Sequence, residues 1–339
     1  MTCHTKLGIT YLDRNGVTRF DPILIVNQKD SYEAFNYFNT NSTLQFNGES
    51  SGFGSIYAAL QHFIDTHKNK IYFNGDWNSM SALLGLNTAA AYYPCIICTI
   101  HKDNIDSLTA HSKREECVIG EYSQVSSPLL IIPSDRIVPL PLHVFLGIGN
   151  KIIKDILIQQ LYVDEKKLHH SISLIKSTSQ SGLSSIFALT GQELYDWSRI
   201  STLLAQLTSD NHTQTERDNI AKVLRWVREL GASLFHRREW TRADRVSFSS
   251  LVAEMRSKWK ETTNTPVTPK VHMLSHAVEF IQLHHSLGTH SEAHIESYHA
   301  RFNKKYSINH RKKSDEEGER IRRCHADLLL ISVEQFIDE

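Results

Sequence analysis

Histidine and carboxylate side chains are concentrated in one segment towards the C-terminal end of the chain. Residues 271–299 contain seven of the 19 histidines, together with Glu279, Glu292 and Glu296. Neutral imidazole and carboxylate are common nitrogen and oxygen ligands of metal ions. A His-rich exposed helix is the alternative interpretation, and the rest of the chain has to distinguish the two.

A pair of cysteines lies much earlier, in the sequence PCIIC. Two thiolates spaced like Cys95 and Cys98 bind one metal ion, and structural zinc takes four nitrogen or sulfur ligands in a tetrahedron. His272 and His276 are four residues apart, so a helix would place both on one face. We therefore predict a Cys2His2 zinc site, with His101 as a competing ligand because it follows Cys98 by three residues.

Three acidic residues are candidate ligands of a magnesium ion. Asp76 ends the predicted strand KIYFNGD, and Glu292 and Glu296 share one face of a predicted helix. Carboxylates at a strand end and on a nearby helix are the hard oxygen ligands that two-metal phosphoryl transfer uses. Solvated surface charge is the alternative, since the chain has 37 acidic residues.

A basic stretch, RFNKKYSINHRKK, follows the predicted Glu296 helix, with Phe302 and Tyr306 between its charges. Such side chains neutralise phosphates, and the stretch predicts DNA contacts. The basic residues are Arg301, Lys304, Lys305, Arg311, Lys312 and Lys313. An ordinary charged surface is the alternative, because the acidic sequence SDEEGER follows at once.

The overall composition limits the class of protein. The 37 basic residues balance the 37 acidic ones, so a nucleic-acid function has to depend on local patches. We expect no membrane span, because no apolar run approaches about 18 residues, and the first twenty residues lack the apolar core of a signal peptide. Five cysteines without a secretion signal favour reduced thiols and an intracellular setting.

The predicted elements place these residues in an α/β fold. Two strand-like runs flank Asn15-Gly16, a hairpin turn signal, and PILIV reads as a buried strand. Helices are predicted over 54–67 and 79–86, and helical patterning dominates from 151 onwards. In that region one apolar face is formed by Ile220, Val223, Leu224, Val227, Leu230 and Leu234.

The order and spacing of these motifs resemble the catalytic core of the V(D)J recombinase large subunit and the related Transib transposases, which are RNase H-like enzymes of the DDE class. GDWNSMSALLGLNTAAAYYPCIICTIHK resembles the family's second catalytic Asp with its zinc knuckle. The family's segment with a Leu-His pair and a later Gly-Asn pair is matched by DRIVPLPLHVFLGIGNKIIKDI. Its region with the zinc histidines and the catalytic Glu resembles KVHMLSHAVEFIQLHHSLGTHSEAHIESYHARF. The resemblance covers roughly residues 7–335.

The resemblance implies an RNase H-like mixed sheet with a helical insertion and a zinc site. Its domains would be an α/β core (1–150), the helical insertion (151–265) and a C-terminal segment (266–339). It assigns zinc to the two Cys and two His above, and catalytic Mg²⁺ or Mn²⁺ to Asp76 and Glu296. The implied activity is DNA cleavage and strand transfer in the nucleus of a eukaryote, with DNA as partner and a homodimer left open.

The chain also departs from the family pattern. The first strand of the sheet, with its catalytic Asp, is missing; Asp13 and Asp30 are the nearest substitutes, and Asp13 falls in the hairpin turn. His272 and His276 are one residue closer together than the family's pair. Three interpretations follow: a DDE enzyme, a truncated or domesticated remnant that binds DNA or protein without catalysis, and an unrelated zinc-stabilised helical adaptor.

Overall fold

The structure is a computed structural model that describes residues 5–12, 18–26, 45–46, 49–50, 56–67, 72–87, 89–107, 112–114, 118–175, 189–236 and 238–290. The chain divides into two compact units. One unit comprises residues 1–30 and 292–339, and the other comprises residues 31–291.

The described part of the first unit is a β-hairpin. Strand β1 (Thr5–Leu12) pairs antiparallel with β2 (Thr18–Val26), and a register shift follows Leu7. This confirms the hairpin predicted from the sequence and places PILIV in β2. The turn that contains Asn15-Gly16 and Asp13 lies outside the described residues.

The strands described in the second unit are β3 (Gln45–Phe46) and β4 (Glu49–Ser50), which pair antiparallel. We predicted a strand that ends at Asp76, and this prediction is wrong over residues 72–76. In that range Phe73 makes one isolated parallel bridge to Ile137. Pairing stops there because the Leu140 N–H, which would continue the ladder, donates to the Val138 carbonyl instead (2.8 Å), and Leu140 has a left-handed backbone (φ 47°). The strands of the described ranges therefore form two antiparallel pairs, and these do not support the expected RNase H-like mixed sheet.

Helices make up most of the described second unit. They are α1 (Ile56–His67), α2 (Trp77–Leu83), α3 (Pro141–Lys151), α4 (Glu165–Ser173), α5 (Gly191–Ser198), α6 (Leu203–Leu207), α7 (Gln214–Leu234), α8 (Arg242–Thr263) and α9 (Pro269–His284). A π-helix, Ile152–Gln160, continues α3, and short 3-10 turns lie at Lys102–Asn104, Ser134–Arg136 and Gly288–His290. The helical character predicted from residue 151 is thus confirmed, whereas the domain boundaries at 150 and 265 stay predictions.

The core of this unit is built on the long helices. The predicted apolar face of α7 is buried throughout, which confirms the helical spacing of its residues. Trp226 of α7 stacks on Trp259 of α8 with ring centroids 6.0 Å apart, and α8 packs in turn against α9. Burying each large apolar side chain contributes on the order of 2 kcal/mol, so this packing fixes the position of α9.

Local capping sets where the long helices begin. Thr213 caps α7 and Thr241 caps α8; each side chain accepts a hydrogen bond from the backbone N–H three residues on, and Glu216 or Asp244 bonds back. Helix α9 begins at Pro269 after Thr268, whose hydroxyl accepts from the Val271 N–H. Such caps each contribute about 1 kcal/mol, and the last one fixes the register of the two histidines on α9.

Candidate metal centre

Four side chains from two distant parts of the sequence converge in the core. One ligand atom from each of Cys95, Cys98, His272 and His276 lies within 4.8 Å of all the others, and all four residues are buried. The Cys98 Sγ to His272 Nε2 distance is 3.3 Å. Ligand atoms about 2.0 to 2.3 Å from one tetrahedral zinc lie roughly 3.5 Å apart, so the group is able to bind a metal ion such as zinc.

The two cysteines lie in a loop whose backbone is hydrogen-bonded by residues 112–114. Cys95 Sγ accepts a hydrogen bond from the Ile97 N–H at 3.4 Å, and Cys98 forms an antiparallel bridge with Lys113. The Arg114 guanidinium donates to the carbonyls of Cys95 (2.8 Å), Tyr93 (3.1 Å) and Tyr122 (2.7 Å). The Arg114 side chain thus fixes the backbone of the cysteine loop through these three hydrogen bonds.

The histidines are presented by α9. His272 and His276 are one helical turn apart, with ring centroids 5.0 Å apart and exposures of 2% and 6%. The spacing that is one residue shorter than in the family is therefore compatible with two ligands on one helical face. The Nε2 atom of His276 is buried beside the Cys95 thiol without a well-formed hydrogen bond to any described residue, as expected of an atom that binds a metal.

The protonation of the metal-free cluster also fits a cation site. Burial by itself raises the pKa of Cys95, but the hydrogen bond from Cys98 and the charge of His276 bring this pKa well below its usual value. The same hydrogen bond, burial and the Cys95 charge raise the pKa of Cys98. Burial opposes protonation of His276, yet the Cys95 charge raises its pKa to about 9. A zinc ion would displace the protons that these groups share.

One charged residue, Glu279, contacts the cluster, and a second, Arg256, binds the chain segments next to it. Glu279 Oε2 lies 3.4 Å from His276 Nδ1, and this hydrogen bond lowers the pKa of the Glu279 carboxyl. Arg256 of α8 is 9% exposed; it donates to the hydroxyl of Ser275 at 2.6 Å and to the carbonyl of Ser107. Sequence reasoning gave neither residue a role. The position of Glu279 three residues after His276 on one helix was the available signal, whereas Arg256 has no such spacing.

His101, the competing ligand, has a different role. Its Nδ1 accepts a hydrogen bond from the Asp103 N–H at 3.3 Å and so begins the 3-10 turn at Lys102. It is not one of the four clustered residues, and its ring stacks on Tyr92. The helix pair His272 and His276 therefore supplies the nitrogen ligands.

Asp76, predicted to hold magnesium, caps α2. Its Oδ1 accepts from the Ser79 N–H at 2.8 Å and its Oδ2 accepts from the Ser79 hydroxyl at 2.9 Å. The carboxylate is half-buried and fixed in orientation. The helix predicted over 79–86 extends over Trp77–Leu83. An acidic residue directly before a helix is a common N-cap, and that was the sequence signal for the role of Asp76.

The chain before Asp76 is attached to the end of α9 and the turn that follows it. Tyr72 contacts the rings of His284 and His290, with centroids 5.0 and 4.2 Å away, and its hydroxyl lies 3.2 Å from His284 Nδ1. The Asn74 side chain donates to the His290 carbonyl at 2.6 Å. His284 and His290 are partly buried, whereas His285 between them in sequence is exposed.

Several predicted site residues lie outside the described residues. They are Asp13, Asp30, Glu292, Glu296 and the basic residues Arg301, Lys304, Lys305, Arg311, Lys312 and Lys313. Their assignments to magnesium and DNA stay predictions.

Comparison with known protein families gives no match, and comparison with curated proteins gives no significant one. None of the described helices has both the length and the apolar character that a membrane crossing requires. The observed findings on function are therefore those of the site: a buried Cys2His2 group able to bind a metal ion such as zinc.

Proposed function

We propose that the chain is a transposase-like protein of the DDE class that binds DNA and is stabilised by a structural zinc. One observation supports this above all others. The C-x2-C pair and the two histidines, which the resemblance selects from distant motifs, lie within 4.8 Å of one another. Chance does not readily bring together four residues chosen by motif order across 174 positions.

The proposal assigns Mg²⁺ or Mn²⁺ to Asp76 and Glu296. This assignment rests on the resemblance, which matches the two residues to the family's second catalytic Asp and to its catalytic Glu. A bound Mg²⁺ supplies positive charge for the attacking and leaving oxygens of phosphoryl transfer. The chain itself orients the Asp76 carboxylate through Ser79.

A second function, DNA or protein binding without catalysis, is favoured by the use of Asp76 as a helix cap. Both of its oxygens already accept hydrogen bonds, and a metal would compete with them. In the given sequence the resemblance assigns two carboxylates, Asp76 and Glu296, to the metal. Two carboxylates bind one Mg²⁺ weakly, and two metal ions need more negative charge to offset their mutual repulsion. We therefore expect DNA binding to exceed catalysis in this chain.

A combined binding and cleavage assay tests both functions. Fluorescence anisotropy with a labelled duplex should detect binding that weakens as salt rises, because phosphate contacts release counterions. The double variant Lys304→Gln/Lys305→Gln should weaken binding, whereas Lys258→Gln/Lys260→Gln on α8 serves as the charge-matched control. Absence of binding at low salt, or equal effects of the two double variants, would contradict the DNA-binding proposal.

The same preparations are incubated with Mg²⁺ or Mn²⁺ and assayed for nicking and strand transfer. We expect little or no product. Metal-dependent cleavage that Asp76→Asn and Glu296→Gln both abolish would instead establish the enzyme, and Asp13 or Asp30 would then be the first candidates for the third carboxylate. Action on DNA would place the protein in the nucleus of a eukaryotic host, and the oligomeric state stays open.

A further inference from the structure

We infer that Glu279 is a positioning residue of the zinc centre: its carboxylate fixes the tautomer and ring orientation of His276 so that Nε2 faces the metal. The inference rests on the zinc centre proposed above and assigns a role to a residue outside the four ligands. It is carried by the contacts of His276 on the two sides of its ring.

The first contact concerns the Nδ1 side. Glu279 Oε2 lies 3.4 Å from His276 Nδ1, at the long end of hydrogen-bond distances. Because a carboxylate only accepts hydrogen bonds, this contact requires the proton to be on Nδ1. In the neutral imidazole the lone pair is then on Nε2, which is the form that binds a metal.

The opposite side of the ring has the complementary property. The Nε2 atom of His276 is buried beside the Cys95 thiol, and neither that thiol nor any other described residue makes a well-formed hydrogen bond to it. Buried polar atoms are almost always satisfied, so an unsatisfied nitrogen aimed at two buried thiols indicates a ligand. Rotating the ring by half a turn would exchange the two nitrogens, and the Glu279 contact opposes that rotation.

Lys113 connects Glu279 to the cysteine side of the site. Its Nζ lies 3.7 Å from Glu279 Oε2, and its backbone forms the antiparallel bridge to Cys98. The backbone of Lys113 therefore pairs with the backbone of Cys98, and its ammonium group lies beside the Glu279 carboxylate that orients His276. Glu279 therefore joins the two halves of the ligand set.

The test compares zinc affinity in the full-length chain, measured by competition with a chromogenic chelator, for the parent, Glu279→Ala and Glu279→Gln. The matched control is Glu261→Ala, since Glu261 is also a helical glutamate with a partner three residues away, Lys258 at 2.9 Å. Loss of an outer-shell partner typically weakens metal binding 10- to 100-fold. We expect a loss of about that size for Glu279→Ala, a smaller loss for Glu279→Gln because its amide oxygen still accepts, and a change below about twofold for Glu261→Ala.

Two further readouts separate positioning from a general loss of stability. Substitution with Co²⁺ should give a weaker or shifted visible spectrum in Glu279→Ala, and its metal-free melting temperature should match that of the metal-free parent. An affinity within about twofold of the parent in Glu279→Ala, or an equal loss in Glu261→Ala, would overturn the inference while leaving the zinc centre intact. A parent protein that binds no zinc would overturn both, and the two failures are thereby distinguished.

Discussion

The Sγ atom of Cys98 lies 3.3 Å from the Nε2 atom of His272, although 174 positions separate the two residues in sequence. One metal ion bound between them closes a loop of that length. Closing a loop restricts the unfolded chain, and the entropic effect grows slowly with loop length. The zinc centre is therefore expected to stabilise the second unit as a whole, because its ligands join the cysteine loop to α9.

Replacing a zinc ligand should release the metal and destabilise the fold. We expect the purified protein to contain about one equivalent of zinc, and Cys95→Ser to contain less than about half an equivalent. The destabilisation should exceed roughly 3 kcal/mol, since structural zinc sites contribute their binding energy to folding. Elemental analysis and chemical denaturation measure the two effects. Cys324→Ser is the control and should keep both zinc and stability; unchanged melting of Cys95→Ser would contradict the structural role.

Arg256 should stabilise the segment that follows the two cysteines. Its guanidinium is buried and bonds the Ser275 hydroxyl and the carbonyls of Ser107 and Ile105, the last at 3.4 Å. Arg256→Met leaves these carbonyls without their donor, and we expect a loss of about 2 to 4 kcal/mol. The exposed Arg242 on the same helix provides the control, because Arg242→Met should change the free energy of unfolding by less than about 0.5 kcal/mol. Similar urea midpoints for the two variants would show that the buried contacts contribute little.

Asp76 combines a cap with a proposed metal-binding role, and two substitutions separate them. Asp76→Ala removes the acceptor for Ser79 and should cost about 1 kcal/mol of stability. Asp76→Asn retains a capping oxygen, so its stability should stay within about 0.5 kcal/mol of the parent. Thermal unfolding measures both variants. If Asp76→Asn destabilises the protein as much as Asp76→Ala, the carboxylate charge rather than the cap contributes the stability.

His290 should make the protein less stable in mild acid. Burial, followed by the charge of His284, lowers the pKa of His290 from 6.5 to about 4. The groups that face its ring are Tyr72, Phe280 and His284, none of which is acidic. Between pH 6.5 and 4 the unfolded state binds the proton more readily than the folded state, so stability falls as the pH falls through this range.

The expected contribution of His290 is at most about 2 kcal/mol, because the residue is only partly buried and solvent reduces the effect. Protonation of the zinc ligands adds a loss that is common to all variants. The measurement is therefore the difference in slope of unfolding free energy against pH between the parent and His290→Gln, with the exposed His170→Gln as control. Equal slopes in all three proteins would rule out a contribution from His290.

The local features of this protein are determined by its sequence. The hairpin between β1 and β2, the apolar face of α7, and the pairs Cys95/Cys98 and His272/His276 all depend on spacings of a few residues. Turn preference, helical period and the geometry of a short loop act over such distances, which is why the patterns predict them. The resemblance added the expectation that the two pairs meet.

Tertiary packing alone decided the contacts between distant segments. The position of α9 against α8 brings His272 to Cys98 and Arg256 to the loop after the cysteines, and no periodicity in the chain encodes either approach. It also decided that residues 72–76 form a single bridge at Phe73, since the Leu140 N–H that would extend the ladder is bonded to the Val138 carbonyl. A local pattern specifies which face of an element is apolar or ligating, whereas the partner of that face is selected by how whole elements fill the core.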